Sequence, residues 1–200
     1  MTLNCNGKIL DLKIPKVMGI LNLTPDSFYD GGKYKSVKSA AKRCNEMLDQ
    51  GADIIDIGAV SSRPGSKMIS EKEELNRLIP ILKFLVKEFN SVIFSVDTFR
   101  SPVAKASLDE GVAIVNDITA GEFDSNMLPL VGKYNAVYIA MHMRGVPHDM
   151  QKNPSYDDVT FDLLSFFSDK LNSCNLNQIT DVVIDPGFGF GKKKNQNFTI

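Results

Sequence analysis

The chain has 200 residues, 43% of them hydrophobic and 24% charged, with a net charge of −1. That composition excludes a disordered chain, and the near-zero charge supplies no general field for gathering a nucleic-acid backbone. No apolar run approaches the roughly 20 residues that cross a bilayer, and the N-terminal MTLNCNGKILDLK lacks the apolar stretch of a secretion signal. The expectation is a single cytoplasmic domain over residues 1–200, with neither nucleic-acid nor membrane partners. Cys5, Cys44 and Cys174 are odd in number, widely spaced and outside any CxxC pattern, so they read as reduced structural thiols.

In chain order, Leu3 to Ile14 with its Asn6-Gly7 turn reads as a small β-hairpin able to plug one end of a sheet. Short β-rich apolar runs then recur at Val17–Leu21, Asp53–Ile57, Val92–Val96, Val112–Val115, Ala136–Ala140 and Asp181–Ile184. Helical patterns lie between them. Ser36 caps a stripe of Val37, Ala40, Ala41, Cys44 and Leu48 that stops at Gly51. Ser70 and Glu73 form a capping box ahead of Leu75, Leu78, Ile79, Leu82, Leu85, Val86 and Phe89, with Pro80 expected to kink or break the run. Ser101 caps a short helix with Pro102 at its first position, and Val159, Leu163, Phe166, Phe167 and Leu171 form a last core stripe. Alternating strands and helices predict an α/β fold with a parallel sheet, either doubly wound or closed as a (β/α)8 barrel.

Each apolar strand runs into a residue of a ligand-binding type. Asn22 follows Gly-Ile-Leu; Ser61, Ser62 and Arg63 follow Gly-Ala-Val; Asp97, Asn116 and Asp185 each follow an apolar run, as do Met141 and His142. One such residue alone would serve to open a βα turn. Six in succession predict one shared mouth, because a parallel barrel opens all its strand C-termini on the same face. Amides and carboxylates in an apolar cup suit a flat heterocycle with a donor–acceptor edge. Arg63 with the Pro64-Gly65 turn suits an attached phosphate, and the long loop Thr24–Gly32 reads as a lid.

The segments MGILNLTPDSFYDGG, DIGAVSSRPGS, SVDTFR, VNDITAG, MHMRGVPHDMQ and DPGFGFGK, in this order, resemble dihydropteroate synthase, the pterin-binding barrel enzymes of folate biosynthesis. The resemblance runs from about residue 5 to residue 200. It implies a TIM (β/α)8 barrel of which about the first six β/α units are present, and a transferase that joins 6-hydroxymethyl-7,8-dihydropterin diphosphate to 4-aminobenzoate. By the same resemblance Asp97, Asn116 and Asp185 bind the pterin edges, and Met141 and Phe190 pack around the ring. Asn22 contacts Mg2+ and diphosphate, and Ser62, Arg63 and Pro64 belong to the loop that reaches diphosphate and aminobenzoate. Phe28 and Asp30 come from the lid, so that Asp30, Arg63 and Asp97 are the expected catalytic residues. Sulfonamides are the inhibitors implied, and a homodimer the assembly of the full-length protein. The family's last two units, with a lysine, an arginine and a histidine, have no counterpart, so a C-terminally incomplete chain is expected.

Local readings complete the expectations. His142 is structural or orienting rather than a metal ligand, since His148 lies six residues on without a carboxylate cluster. Gly187–Lys192 lacks dinucleotide-fingerprint spacing, and Lys192–Lys194 reads as a solvated face. Two other functions compete: a methyltetrahydrofolate-binding corrinoid methyltransferase, whose chemistry needs no diphosphate loop, and a noncatalytic pterin binder.

Overall fold

The computed structural model describes residues 1–23, 33–60, 68–145, 150 and 154–200. It opens with an antiparallel hairpin of β1 (Thr2–Cys5) and β2 (Lys8–Asp11). The two turn residues, Asn6 and Gly7, have φ of 52° and 83°, the left-handed pair that a two-residue Asn-Gly hairpin requires. Six strands follow: β3 (Met18–Asn22), β4 (Ile54–Gly58), β5 (Ile93–Asp97), β6 (Ile114–Asp117), β7 (Val137–Met141) and β8 (Val182–Asp185). They form one parallel sheet whose neighbours follow chain order. A doubly wound sheet reverses its order at a switch point; sequential order with helices between the strands is the wall of a (β/α) barrel.

The helices are α1 (Lys33–Asp49), α2 (Glu71–Glu88), α3 (Ser101–Asp109), α4 (Met127–Tyr134), α5 (Val159–Leu176) and α6 (Lys194–Thr199). Strand alternation divides the apolar residues between two faces. Leu21, Ile55, Ile57, Phe94, Val96, Val115, Tyr138 and Ala140 pack outward with Leu78, Leu82 and Leu85 of α2 and the other helices. Ile54, Ile93, Ile114 and Val137 point to the inner face and are covered by Leu3, Cys5 and Leu10 of the hairpin, which closes that end as expected. Each fully buried aliphatic side chain contributes roughly 1.5–3 kcal/mol, so both layers fix the register of the strands between them.

Several expectations need correction. Every strand lies one or two residues downstream of its apolar run, because backbone pairing continues past the last apolar residue of the run. Helix α1 begins at Lys33 rather than at Ser36. Pro80 does not interrupt α2; it sits on the solvent face with Asn76, whose carbonyl water can satisfy. Ser101 is the first residue of α3 rather than its cap, and its N–H goes to Asp124 Oδ2 at 2.7 Å. Leu171 is 44% exposed and leaves the core stripe of α5, while α4 had no clear sequence pattern. Half of the capping box forms, Ser70 Oγ accepting from Glu73 N at 3.2 Å, while the Glu73 carboxylate pairs with Arg77 instead of turning back to the cap. All three cysteines are free and buried, and burial pushes the Cys5 and Cys44 thiols up to about 11, which keeps them unreactive. No helix among the described residues is long and apolar enough to cross a membrane.

Candidate functional site

The register lines up the last inner-face residues of four adjacent strands: Asn22 beside Gly58, Gly58 beside Asp97, and Asp97 beside Asn116. One layer below lie Ile20, Asp56, Ser95 and Ile114; above, Met141 pairs with Asp185. The expected residues Asn22, Asp97, Asn116, Met141 and Asp185 are therefore paired strand residues at one mouth, and of them Asp185 also opens the turn that follows its strand. An apolar rim stands over them, where Val60, Phe99, Ile118 and Met141 pack with Phe190. Phe28 and Asp30 lie in segment 24–32, and Ser62, Arg63 and Pro64 in segment 61–67; both segments, like His148, fall outside the described residues.

Gly58 explains how Asp97 reaches the centre. A Cβ at position 58 would stand 3.1 Å from Asp97 Oδ2 and 3.2 Å from its Cβ, so the bare strand gives the carboxyl its place. Asn116 Nδ2 donates to Asp56 Oδ2 at 3.0 Å, tying the mouth to the buried layer. Asp56 is 3% exposed and Ser95 is fully buried, and Asp56 Oδ1 and Ser95 Oγ have no hydrogen-bond partner among the described residues. Burial raises the Asp56 carboxyl above its ordinary range, with the hydrogen bond from Asn116 opposing. Burial also raises Asp97 well above its ordinary range, reinforced by the charges of Asp56, Asp117 and Glu74. Such a carboxyl can offer an O–H donor beside its acceptor, the pairing a heterocycle edge needs.

Asp117 faces the other way. It accepts from Thr119 N and Oγ1 (2.8 and 2.7 Å), Gly121 N (2.8 Å) and Tyr138 Oη (2.9 Å), and so builds the turn after β6. Fully buried Glu74 of α2 accepts from Thr98 Oγ1 at 2.7 Å and from Arg100, whose other nitrogen donates to Ile69 O at 2.8 Å. This network anchors the residues just after Asp97.

The loop after β8 holds further surprises. Asp185 Oδ1 accepts from Gly187 N at 2.8 Å. Lys192, expected on a solvated face, is 3% exposed; its Nζ donates to the carbonyls of Gly187, Phe190 and His142 at 2.9, 3.1 and 3.2 Å. Neighbouring backbone folds over the ammonium, and burial lowers it to about 8 despite Asp185. His142 is a packed ring with an edge contact to Phe166 at 4.9 Å, and burial and the Lys192 charge hold it down to about 4. That neutral, enclosed imidazole fits the structural role expected of it. Asp56, Ser95, Glu74 and Lys192 were not foreseen as site residues. For Asp56 and Ser95 a signal existed: each lies two positions before a mouth residue and so shares its face.

The described residues contain no cluster of three or more His, Cys, Asp or Glu able to hold a metal. Asn22 is exposed at the mouth and its amide has no partner among the described residues. One neutral oxygen suits a hard ion that keeps its waters and shares a phosphorylated ligand, as Mg2+ does, and does not suit a metal bound by protein alone.

Comparison with known proteins gives a consistent result. Residues 18–200 match the profile described as pterin binding enzyme. The mitochondrial folate synthesis bifunctional protein of Arabidopsis thaliana is 47% identical over 190 residues, covering 92% of this chain and 34% of its own length. The dihydropteroate synthase of Haemophilus influenzae is 40% identical over 202 residues, covering the whole of this chain and 73% of its own. The crystal structure of Yersinia pestis dihydropteroate synthase with a sulfonamide drug superposes with a TM-score of 0.90 at 40% identity, covering 100% of this chain and 72% of that one. The chain thus spans about a third of the plant protein and rather more than two thirds of the bacterial ones.

Proposed function

The chain belongs to the pterin-binding enzyme family, and on that premise we propose that it acts in dihydropteroate synthesis. The reaction joins 6-hydroxymethyl-7,8-dihydropterin diphosphate to 4-aminobenzoate, giving 7,8-dihydropteroate and diphosphate. One observation carries the reading: Asp97, Asn116 and Asp185 line the inner mouth together, with Met141 beside Asp185 and Phe190 packed on Met141. In this reading the three polar side chains hold the edges of the pterin while the two apolar ones enclose its ring. A raised Asp97 carboxyl supports a donor contact to a ring nitrogen or carbonyl. Asp56 acts from below, holding the Asn116 amide so that its other polar atoms face the ligand.

Asn22 would hold Mg2+ together with the diphosphate, and the ion supplies neutralisation of leaving-group charge. The bond from the exocyclic carbon to oxygen breaks with its electron pair going to diphosphate, and the ring delocalises the positive charge left behind. The aryl amine nitrogen then bonds to that carbon and loses a proton. Arg63 stabilises the departing anion, with Ser62 and Pro64 shaping its loop, while Asp30 faces the cationic carbon and Phe28 shelters the aminobenzoate; resemblance supports these five assignments. It equally supports an enzyme that is dimeric at full length, in which sulfonamides compete with 4-aminobenzoate.

The test is product formation by the chain from both substrates with Mg2+, followed as 7,8-dihydropteroate and diphosphate in equal amounts and inhibited by a sulfonamide. Saturable pterin binding without product supports the noncatalytic alternative. Absence of both contradicts the reading.

A further inference from the structure

The loop after β8 rests on the end of β7 with no space between them. A Cβ at Gly187 would overlap the His142 carbonyl, and one at Gly191 the Arg144 backbone; both glycines have left-handed φ, 66° and 60°. Lys192 turns back beneath this loop and spends all three ammonium protons on carbonyls: His142 from the strand end, Gly187 and Phe190 from the loop. A single nitrogen thereby joins two segments that are also linked by His142 N donating to Asp185 O at 2.9 Å. The side chain of Asn197 holds the loop from its far side, accepting from Gly189 N at 2.7 Å and donating to the carbonyls of Lys192 and Lys193 at 3.3 and 2.8 Å. The clasped pieces carry Asp185, Phe190 and Met141.

We propose that Lys192 is a positioning residue for the pterin pocket: without touching the ligand, it fixes where Asp185, Phe190 and Met141 stand relative to one another. The inference rests on the proposed pterin site and adds to it a determinant outside the mouth. A displacement of about 1 Å in a binding group can reduce function by as much as 100-fold. A clasp acting on three pocket residues therefore has a measurable reach.

The experiment uses the full chain with Lys192→Met, which keeps the length and removes the donors, and Lys192→Gln, which keeps two N–H donors. Ile81→Val in α2 serves as a core-destabilised control. Two readouts are taken: amide hydrogen exchange over residues 187–193, and the calorimetric Kd for 6-hydroxymethylpterin. The expected result is exchange at Gly189 and Phe190 at least about ten-fold faster in Lys192→Met, with pterin binding weaker by about ten-fold or more. Lys192→Gln should fall between, and Ile81→Val should bind as the parent does. A folded Lys192→Met, or Lys192→Gln where the former does not fold, with parental exchange or pterin affinity overturns the proposal. Failure of the parent itself to bind pterin overturns the proposed function and the ligand half of this inference, leaving the exchange data to decide the clasp alone.

Discussion

Replacing Glu74 by alanine tests the anchor behind Asp97. Glu74 is fully buried, and its carboxylate serves both the Arg100 guanidinium and the Thr98 hydroxyl. Removing one partner of a buried ion pair typically costs about 3–5 kcal/mol. The Arg100 side chain is 18% exposed and keeps its bond to Ile69 O, so its charge still reaches water and the low end applies. The Thr98 hydroxyl, buried and robbed of its acceptor, adds about 1 kcal/mol. The sum is about 4 kcal/mol, or a melting point lower by roughly 8–16 °C for a chain of this length. Glu74→Gln keeps the shape and an acceptor for Thr98 and should lose about half as much. The assay is urea unfolding of both variants and of Arg100→Met, requiring unchanged m-values so that midpoints report stability. A loss below about 1 kcal/mol in Glu74→Ala would refute the network as an anchor.

Other outcomes follow from the same geometry. Gly58→Ala should push Asp97 off its preferred rotamer at about 0.5–1.5 kcal/mol, seen as a stability loss of that size in urea melts together with weaker pterin binding in calorimetry. Asp97 has its folded carboxyl raised, so its contribution to stability is lost as pH rises above the ordinary value of 3.8; Asp97→Asn should therefore be more stable than the parent at pH 7 in urea melts and bind pterin worse. The His142 ring is lowered from 6.5 to about 4, so the chain should lose up to about 3 kcal/mol as pH falls through that window, and His142→Phe should lose the dependence. Gly187→Ala should fail through its contact with the His142 carbonyl and its left-handed φ, read as loss of pterin binding and a lower melting point.

The fold was legible because its signals are local and repeated. Apolar runs at Val92–Val96 or Ala136–Ala140 announce strands, and Ser70 with Glu73 announces α2. The mouth was legible for the same reason, since a polar residue ending each run marks the strand C-terminus. What escaped depends on tertiary context. Parity places Asp56 on the inner face, yet only the register sets it under Asn116. Lys192 looks like the first of three solvated lysines, and nothing in the sequence says that two neighbouring loops supply three carbonyls to it. Helix α4 contains Pro129 and Gly132, both poor helix formers, and owes its existence to packing of Met127 and Val131 against the core. Pro80 misled in the opposite sense, because a proline on the solvent face of a long helix leaves its lost hydrogen bond to water.

The claim that the strand ends form a pterin pocket is tested most directly by calorimetric titration of the chain with 6-hydroxymethyl-7,8-dihydropterin diphosphate and Mg2+, repeated on Asp97→Asn and Asp185→Asn. The account expects one saturable site per chain in the parent, and affinity at least about ten-fold weaker in each variant, as for loss of a hydrogen bond to a buried polar edge. A folded parent that binds nothing, or variants that bind as well as the parent, would contradict it.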